Sequence, residues 1–149
     1  MPENKPKRSN QAGFTLVELA IVIVIIGVLA AFGVPRFRDS VERSKAAEAF
    51  SYLSSVRAAQ ERYHGRSGTY ADKVTKLDIQ LPAPKYFAVD DAIAASAGSL
   101  EKGWTLTLTR QGASAGYGAY TVVYTEQGFD TATSTIADEE HANINPVAS

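Results

Sequence analysis

A single carboxylate stands at the edge of the most apolar part of the chain. The stretch QAGFTLVELAIVIVIIGVLAAFGVPRF runs from Gln11 to Phe37, and it has no charged residue between Leu19 and Val34, yet Glu18 directly precedes that run. A charge at the centre of a bilayer costs about 2.5–3.5 kcal/mol on insertion scales. Glu18 lies only one turn into the apolar segment, so the cost there is smaller. The simplest interpretation is a carboxylate that reaches the lipid headgroups.

The junction before Glu18 offers a second interpretation. The basic leader changes to the apolar run at Ala12-Gly13-Phe14, and a cut after Gly13 would leave a new amino group on Phe14. Phe14 and Glu18 are about one helical turn apart. The ammonium and the carboxylate could then pair, within one chain or between neighbouring chains. Pairing between neighbours would make Glu18 a device for assembly.

The apolar run has the length of a membrane span. A helix from Phe14 to Val34, at about 1.5 Å per residue, reaches roughly 30 Å, the thickness of a bilayer core. It shows no polar face after Glu18, which argues against a soluble amphipathic helix. A secretory signal has a shorter apolar region with its cleavage site behind it, whereas here the change in polarity comes first. Basic residues flank both ends, so the charge distribution leaves the topology open.

These residues resemble the processing signal of type IV pilins and of the pseudopilins of type II secretion systems. The matching features are the basic leader, Gly13-Phe14-Thr15-Leu16-Val17-Glu18, the apolar run and Pro35 at its end. The resemblance implies that a prepilin peptidase cuts between Gly13 and Phe14 and then N-methylates Phe14. It also implies that Glu18 engages the amino terminus of a neighbour during assembly.

The resemblance further implies a structural protein with no enzymatic activity and no cofactor. Its expected function is that of a subunit of a type IV pilus-like filament, a helical homopolymer with the apolar helices in its core. The expected partners are copies of itself, membrane lipid before assembly, the prepilin peptidase/methyltransferase, and an inner-membrane assembly platform with its ATPase. The subunit would begin as a single-pass inner-membrane protein and end in a pilus at the cell surface.

Two alternatives stay open at this point. A pseudopilin of a type II secretion system has the same processing signal and would end in a periplasmic pseudopilus. An alternative of another class is a single-span membrane-anchored binding domain or enzyme, which would need no cut at Gly13 and would have a convergent polar pocket. The sequence contains no P-loop, no dinucleotide-binding fingerprint and no G-x-S-x-G motif, so it favours a structural protein over an enzyme.

The remaining sequence predicts an α+β fold, a long N-terminal helix packed on a small antiparallel β-sheet. We divide the chain into a leader (1–13), a transmembrane and filament-core helix (14–35), an amphipathic helix (36–64) and a β-sheet domain (65–149). Pro35 predicts a kink and Gly65 a helix end. Opposite charges four positions apart predict three surface ion pairs on the helix, namely Arg38 with Glu42, Asp39 with Arg43, and Arg57 with Glu61.

Short segments after the helix have the composition of strands. We predict strands at Tyr86 to Val89, at Trp104 to Thr109 and at Ala119 to Thr125, with an edge strand at Thr133 to Ile136. The second of these alternates strictly between apolar residues and threonine, which is typical of a strand with one buried face. Such a sheet would cover the apolar stripe of the helix.

The sequence gives little support for a metal site or for cysteine chemistry. Cysteine is absent, which excludes disulfides and leaves open how the segment after Phe129 is fastened. His141 follows the acidic run of Asp138, Glu139 and Glu140, and major pseudopilins of the resembled family bind calcium in this region. The spacing matches no calcium-loop motif, so we interpret the run as a solvated acidic surface and assign no metal site.

The charge distribution predicts weak binding to nucleic acid. The formal net charge of −1 falls to −3 when the leader, with a net charge of +2, is removed, and no Lys or Arg follows Arg110. Because affinity for the phosphate backbone depends on clustered positive charge, we expect no tight binding of duplex DNA by the processed protein. The measurement is fluorescence anisotropy with labelled duplex DNA across a salt series. Tight, salt-sensitive binding would contradict this reading of the charge.

Overall fold

The computed structural model describes residues 13–112 and 116–148, so most of the predicted leader lies outside the described residues. It contains one long helix, four strands and three short 3₁₀ helices. The helix is α1 (Leu16–Ser67), the strands are β1 (Phe87–Val89), β2 (Thr105–Arg110), β3 (Thr121–Thr125) and β4 (Gly128–Phe129), and the 3₁₀ helices are Val74–Lys76, Thr135–Ala137 and Glu139–His141. Contacts divide the chain into two compact units, Met1–Arg36 and Phe37–Ser149, which are described separately.

The first unit contains the apolar part of α1. Its large apolar side chains from Phe14 to Val34 are all between 46% and 83% exposed in the single chain. The most apolar window of α1 has a mean hydropathy of 2.8, and by length and composition the helix can cross a membrane. Such a surface is unstable in water, so lipid or other protein must cover it.

The second unit is the α+β fold that the sequence predicts. The sheet is antiparallel with the order β1-β2-β3-β4. Leu106 and Leu108 of β2 point to the same face as their partners on β3, and this face packs against α1. Helical residues spaced three or four apart complete the core, including Ala46, Ala49, Phe50, Leu53 and Val56. The alternation predicted for β2 is confirmed, since Leu106 and Leu108 are buried and Thr107 between them is exposed.

The helix ends later than the sequence suggested. α1 continues through Pro35 and past Gly65 to Ser67, so Gly65 is not its end. Gly68 ends it instead, at φ +75°, with its N–H donating to the carbonyl oxygen of His64 at 2.8 Å. A glycine in the left-handed region just after the last helical residue is a common helix terminator.

The predicted edge strand at Thr133 to Ile136 is wrong. This segment forms a 3₁₀ helix (Thr135–Ala137), and it binds β3 through hydrogen bonds that involve side chains and not through a backbone ladder. Ser134 Oγ accepts a hydrogen bond from the backbone N–H of Val123 at 2.8 Å, and Thr135 Oγ1 accepts one from Thr121 at 2.7 Å. Serine and threonine often compete with the backbone in this way. The fourth strand is β4, which the sequence analysis missed.

Gly103 lies where a side chain has no room. A Cβ atom there would come within 2.6 Å of Glu126 Oε2 and would also collide with Ser96 Oγ. These two groups are fixed, since Glu126 Oε2 accepts hydrogen bonds from Ser96 Oγ at 3.0 Å and from the backbone N–H of Trp104 at 3.2 Å. The absence of a side chain at Gly103 therefore leaves room for the Glu126 carboxylate to bind both Ser96 and Trp104.

We expect Gly103→Ala to destabilise the fold by about 1–3 kcal/mol, because overpacking forces these partners apart. The matched control is Gly65→Ala. Gly65 is helical with no atom near its Cβ position, so alanine there should be neutral or stabilising by up to about 1 kcal/mol. Thermal unfolding of the full chain in detergent, followed by the fluorescence of Trp104, measures both. Equal effects of the two substitutions would contradict the steric argument.

Candidate functional site

Glu18 closes the amino-terminal end of α1. Its Oε2 atom accepts a hydrogen bond from the backbone N–H of Thr15 at 2.7 Å and one from Thr15 Oγ1 at 2.8 Å. In return the backbone N–H of Glu18 donates to Thr15 Oγ1 at 3.2 Å. This reciprocal arrangement is a capping box, which satisfies donors that have no partner inside the helix. The carboxylate thus has partners within its own chain before any neighbour is present.

The residues of the predicted cleavage junction lie next to this cap. Gly13 and Phe14 precede the first turn of α1, and both are exposed. Among the described residues, no atom lies within 4 Å of a Cβ placed on Gly13. The structure brings Gly13, Phe14 and Glu18 together at one helix end. Pro35 lies inside α1 about five turns away and does not belong to this group.

A second cluster of charged groups lies inside the second unit. Glu42 and Arg110 are only 2% and 3% exposed. Arg110 donates through Nε to Glu42 Oε1 at 2.5 Å and through Nη2 to Oε2 at 3.2 Å. Tyr120 OH donates to Oε1 at 2.9 Å and Lys45 Nζ to Oε2 at 3.1 Å. Both carboxylate oxygens are therefore satisfied, as a buried charge requires.

The hydrogen bonds among Glu42, Arg110, Tyr120 and Lys45, which we call the Glu42 network, shift the pKa values of Glu42 and Tyr120. Burial by itself raises the pKa of Glu42, but the hydrogen bonds from Arg110, Lys45 and Tyr120 outweigh it and hold the pKa below its ordinary value. Burial and the hydrogen bond to Glu42 raise the pKa of Tyr120. Burial and the hydrogen bond to Asp39 raise the pKa of Tyr117 to about 12. At neutral pH the carboxylate is therefore charged and both phenols keep their protons.

The three predicted ion pairs along α1 do not form among the described residues. Glu42 binds Arg110 and not Arg38, and Asp39 accepts a hydrogen bond from the Tyr117 hydroxyl. The prediction failed because this part of α1 lies on the sheet, so its charged side chains find partners distant in sequence. Glu42 in particular is a buried anchor, whereas the sequence suggested an exposed residue of little energetic weight.

Several side chains of α1 donate to backbone carbonyl oxygens of loops. The donor–acceptor pairs are Arg43 with Pro146 at 3.3 Å, Arg57 with Glu126 at 2.9 Å, Gln60 with Ala71 at 3.0 Å, and Arg62 with Asp78 at 2.9 Å. Each bond ties a connecting segment to the helix. Together they fasten loops that a protein without cysteine cannot crosslink.

The segment after Phe129 is held by buried apolar side chains and by a hydrogen bond of His141. Ile136 and Ile144 are fully buried, and His141 Nε2 lies 2.8 Å from the carbonyl oxygen of Tyr117. That geometry requires an N–H on Nε2, so this nitrogen is not free to bind a metal. Asp138, Glu139 and Glu140 are exposed. Among the described residues no group of three or more potential ligands has an arrangement suited to a metal ion.

Comparison with known proteins identifies the amino-terminal region. The Prokaryotic N-terminal methylation motif matches residues 8–34. Fimbrial protein EcpC of Eikenella corrodens is 38% identical over 90 residues, which cover 60% of this chain and 58% of that protein. A fimbrial protein of Dichelobacter nodosus is 50% identical over 82 residues, covering 53% and 51%. This chain carries the methylation motif at its amino-terminal end and is similar to these fimbrial proteins over part of its length.

A third relative is the type IV major pilin protein PilE1 of Neisseria gonorrhoeae. It is 35% identical over 72 residues, which cover 48% of this chain and 44% of the relative. The chain spans about half the length of the curated relatives it matches. The motif includes Gly13, Phe14 and Glu18, and it ends at residue 34, just before Pro35.

Two features of this chain were missed in the sequence, for different reasons. The capping box has a readable signature, because Thr15 and Glu18 follow the T-x-x-E pattern directly before an apolar run. The anchor at Glu42 has no local signature, since its main partner, Arg110, is 68 positions away. A glutamate among alanines and charged residues on a helix looks like a surface residue until its partner is known.

We expect Glu42→Ala to destabilise the fold by about 3–5 kcal/mol, because it leaves the Arg110 guanidinium buried without a counter-charge. Glu61→Ala is the control, since Glu61 is exposed and accepts one hydrogen bond, from Tyr70 OH at 3.3 Å; its loss should cost about 1 kcal/mol or less. Denaturant unfolding of the full chain measures both. A double change of Glu42 and Arg110 to leucine should recover part of the loss. Similar effects of Glu42→Ala and Glu61→Ala would contradict the anchor.

The same pair predicts a dependence of stability on pH. The pKa of Glu42 is lower in the folded chain than in the unfolded chain, where it is about 4.3. The stabilisation is therefore complete above the unfolded pKa and is lost as the pH falls through the folded pKa. We expect the free energy of unfolding to drop as the pH falls below about 5, and Glu42→Gln to make that drop shallower. An unchanged slope in Glu42→Gln would show that other carboxylates account for it.

Proposed function

We propose that the chain is a structural subunit of a type IV pilus-like filament, inserted in the inner membrane and then assembled into a helical polymer of its own copies. The observation that carries this proposal is the exposed apolar surface from Phe14 to Val34, which lies within the matched methylation motif. The relatives are fimbrial and pilin proteins by name, which favours a pilus over a type II secretion pseudopilus. We assign the chain no enzymatic activity.

The apolar surface explains why the subunit would pass from a membrane to a filament. In the bilayer, lipid covers the helix, and lipid tails give helices no hydrophobic reason to associate. Outside the membrane, each Å² of apolar surface removed from water contributes about 25 cal/mol, so neighbouring helices must cover one another. The proposed partners follow from this path, namely membrane lipid, a prepilin peptidase/methyltransferase, an inner-membrane assembly platform with its ATPase, and further copies of the subunit.

The capping box gives Glu18 a way to serve two partners. Both hydrogen bonds from Thr15 go to Oε2, and within the described residues none reaches Oε1. Glu18 can therefore keep its own helix capped in the membrane and still offer Oε1 to the Phe14 ammonium of a neighbour. In this proposal Thr15 positions the carboxylate and the neighbour's amine completes the charge pair. Pro35, at the end of the apolar segment, has an assembly role only by resemblance.

Processing is the first test of the proposed function. We expect the mature amino terminus to be N-methylated Phe14, because the Gly13–Phe14 junction separates a basic leader from the span and lies within the methylation motif. Mass spectrometry of the protein from cells with a prepilin peptidase measures this. Gly13→Leu should accumulate as precursor in the membrane. An intact leader on the wild-type protein in such cells would contradict the proposal.

Glu18→Gln tests the role of the carboxylate in assembly. The variant should insert and be cleaved, since loss of the charge lowers the cost of insertion. Filaments should be scarce, because an ammonium that enters an apolar core without a counter-charge costs about 3–5 kcal/mol. The membrane pool and the sheared filaments are quantified in a strain without the wild-type subunit. Glu61→Gln is the control and should assemble normally. A normal filament yield from Glu18→Gln would rule out the pairing.

A further inference from the structure

A groove runs along the second unit between the outer side of α1 and the hairpin that joins β3 to β4. Its volume is about 540 Å³, within the range of small-molecule sites. One wall consists of Ser54, Arg57 and Glu61 of α1, and the other of Gln127 and Phe129 of the hairpin. We call it the α1–β4 groove. None of these residues belongs to the amino-terminal motif or to the Glu42 network.

Gly128 keeps the groove open. Its φ of +113° is a conformation that residues with a Cβ rarely adopt, so the hairpin presents bare backbone at this point. The Arg57 side chain lies over it, with Nη1 3.9 Å from the position a Cβ would take. Backbone conformation and packing thus maintain a gap between the helix and the hairpin.

The groove is lined by hydrogen-bond donors and acceptors that are not all in use. Arg57 donates only through Nε, to Glu126, and its other N–H groups have no hydrogen-bond partner within the described residues. The side-chain amide of Gln127 likewise forms no hydrogen bond in the described part of the chain. Among the residues that the structure describes, Glu61 accepts one bond, from Tyr70 OH at 3.3 Å, which leaves its second oxygen available. The charges of Arg57 and Glu61 balance, so the groove favours neither an anion nor a cation.

An aromatic cluster supports one side of the groove. Phe129 is half-buried, and its ring lies 4.8 Å from that of Phe50 and 6.0 Å from that of Tyr124, measured between centroids. Phe50 and Tyr124 are buried in the core, so they hold Phe129 in place. A fixed aromatic ring beside a mixed set of donors and acceptors suits a ligand with one apolar face and a polar rim.

We propose that the α1–β4 groove binds a neutral saccharide. A pyranose ring has an apolar C–H face, which would pack on Phe129, and a rim of hydroxyl groups, which both donate and accept hydrogen bonds. The rim would bind the free N–H groups of Arg57, the carboxylate of Glu61 and the amide of Gln127. The volume accommodates one or two sugar rings. This inference goes beyond the proposed filament function and does not rest on it.

The test is saturation-transfer difference NMR with the full chain in micelles of a detergent that has no sugar headgroup. The probes are methyl β-D-glucopyranoside and N,N′-diacetylchitobiose at millimolar concentration. We expect transfer to the ring C–H protons of at least one probe. Ser54→Leu, which fills the groove from the helix, should abolish the transfer. Ser51→Leu is the matched control, because Ser51 is equally exposed on α1 but does not line the groove.

A second pair of variants protects the test against misfolding. Gln127→Ala removes an exposed amide and should weaken the transfer, whereas Gln111→Ala, outside the groove, should leave it unchanged. The unfolding midpoint of each variant verifies that it folds. No transfer to either probe, or transfer that neither Ser54→Leu nor Gln127→Ala reduces, would overturn the proposal. Loss of filaments in Ser54→Leu without sugar binding by the wild type would assign the groove to a second copy of the chain instead.

Discussion

The Glu42 carboxylate and the Arg110 guanidinium meet in the interior of the second unit, almost completely withdrawn from water. Either charge alone in that position would be strongly unfavourable, so α1 and β2 must lie where the two groups meet. A slip of the helix along the sheet would separate them and would also leave Tyr120 without its acceptor. Apolar contacts such as those of Leu53 and Leu108 could form at several positions of the helix along the sheet, but the ion pair can form at few of them. We therefore attribute the single register of helix on sheet to this pair.

The two units bury their surfaces in different ways. The first buried residue of α1 is Glu42, and every core residue of the second unit lies after it in sequence. Residues 13–36 contribute nothing to that core. The second unit thus has an interior of its own, whereas the apolar part of α1 depends on surroundings that the chain does not supply. This separation suits a helix that is covered by lipid at one stage and by protein at another.

Sequence reasoning succeeded where the signal is periodic or local. The apolar run predicted the membrane-length segment, and the alternation of Leu106, Thr107 and Leu108 predicted a half-buried strand. It failed where the environment of a residue depends on a partner that is distant in sequence. Glu42 looked exposed because its partners Arg110 and Tyr120 are far along the chain. Thr135 looked like part of a strand because β-branched residues favour strands, and the sequence does not show that its side chain binds Thr121. The capping box, in contrast, could have been predicted from the sequence, because Thr15 and Glu18 follow its T-x-x-E pattern.

The hydrogen bonds from α1 to loop carbonyl oxygens have an evolutionary consequence. Arg57 binds the main chain at Glu126 and Arg62 the main chain at Asp78, and a carbonyl oxygen is present whatever the residue at that position. The helix therefore specifies where each loop is attached, but not which side chain the loop displays. Loops of this kind can change their outward-facing residues extensively without detaching from the scaffold. The surface of the domain is thus free to diverge under selection while the helix that carries it stays nearly constant.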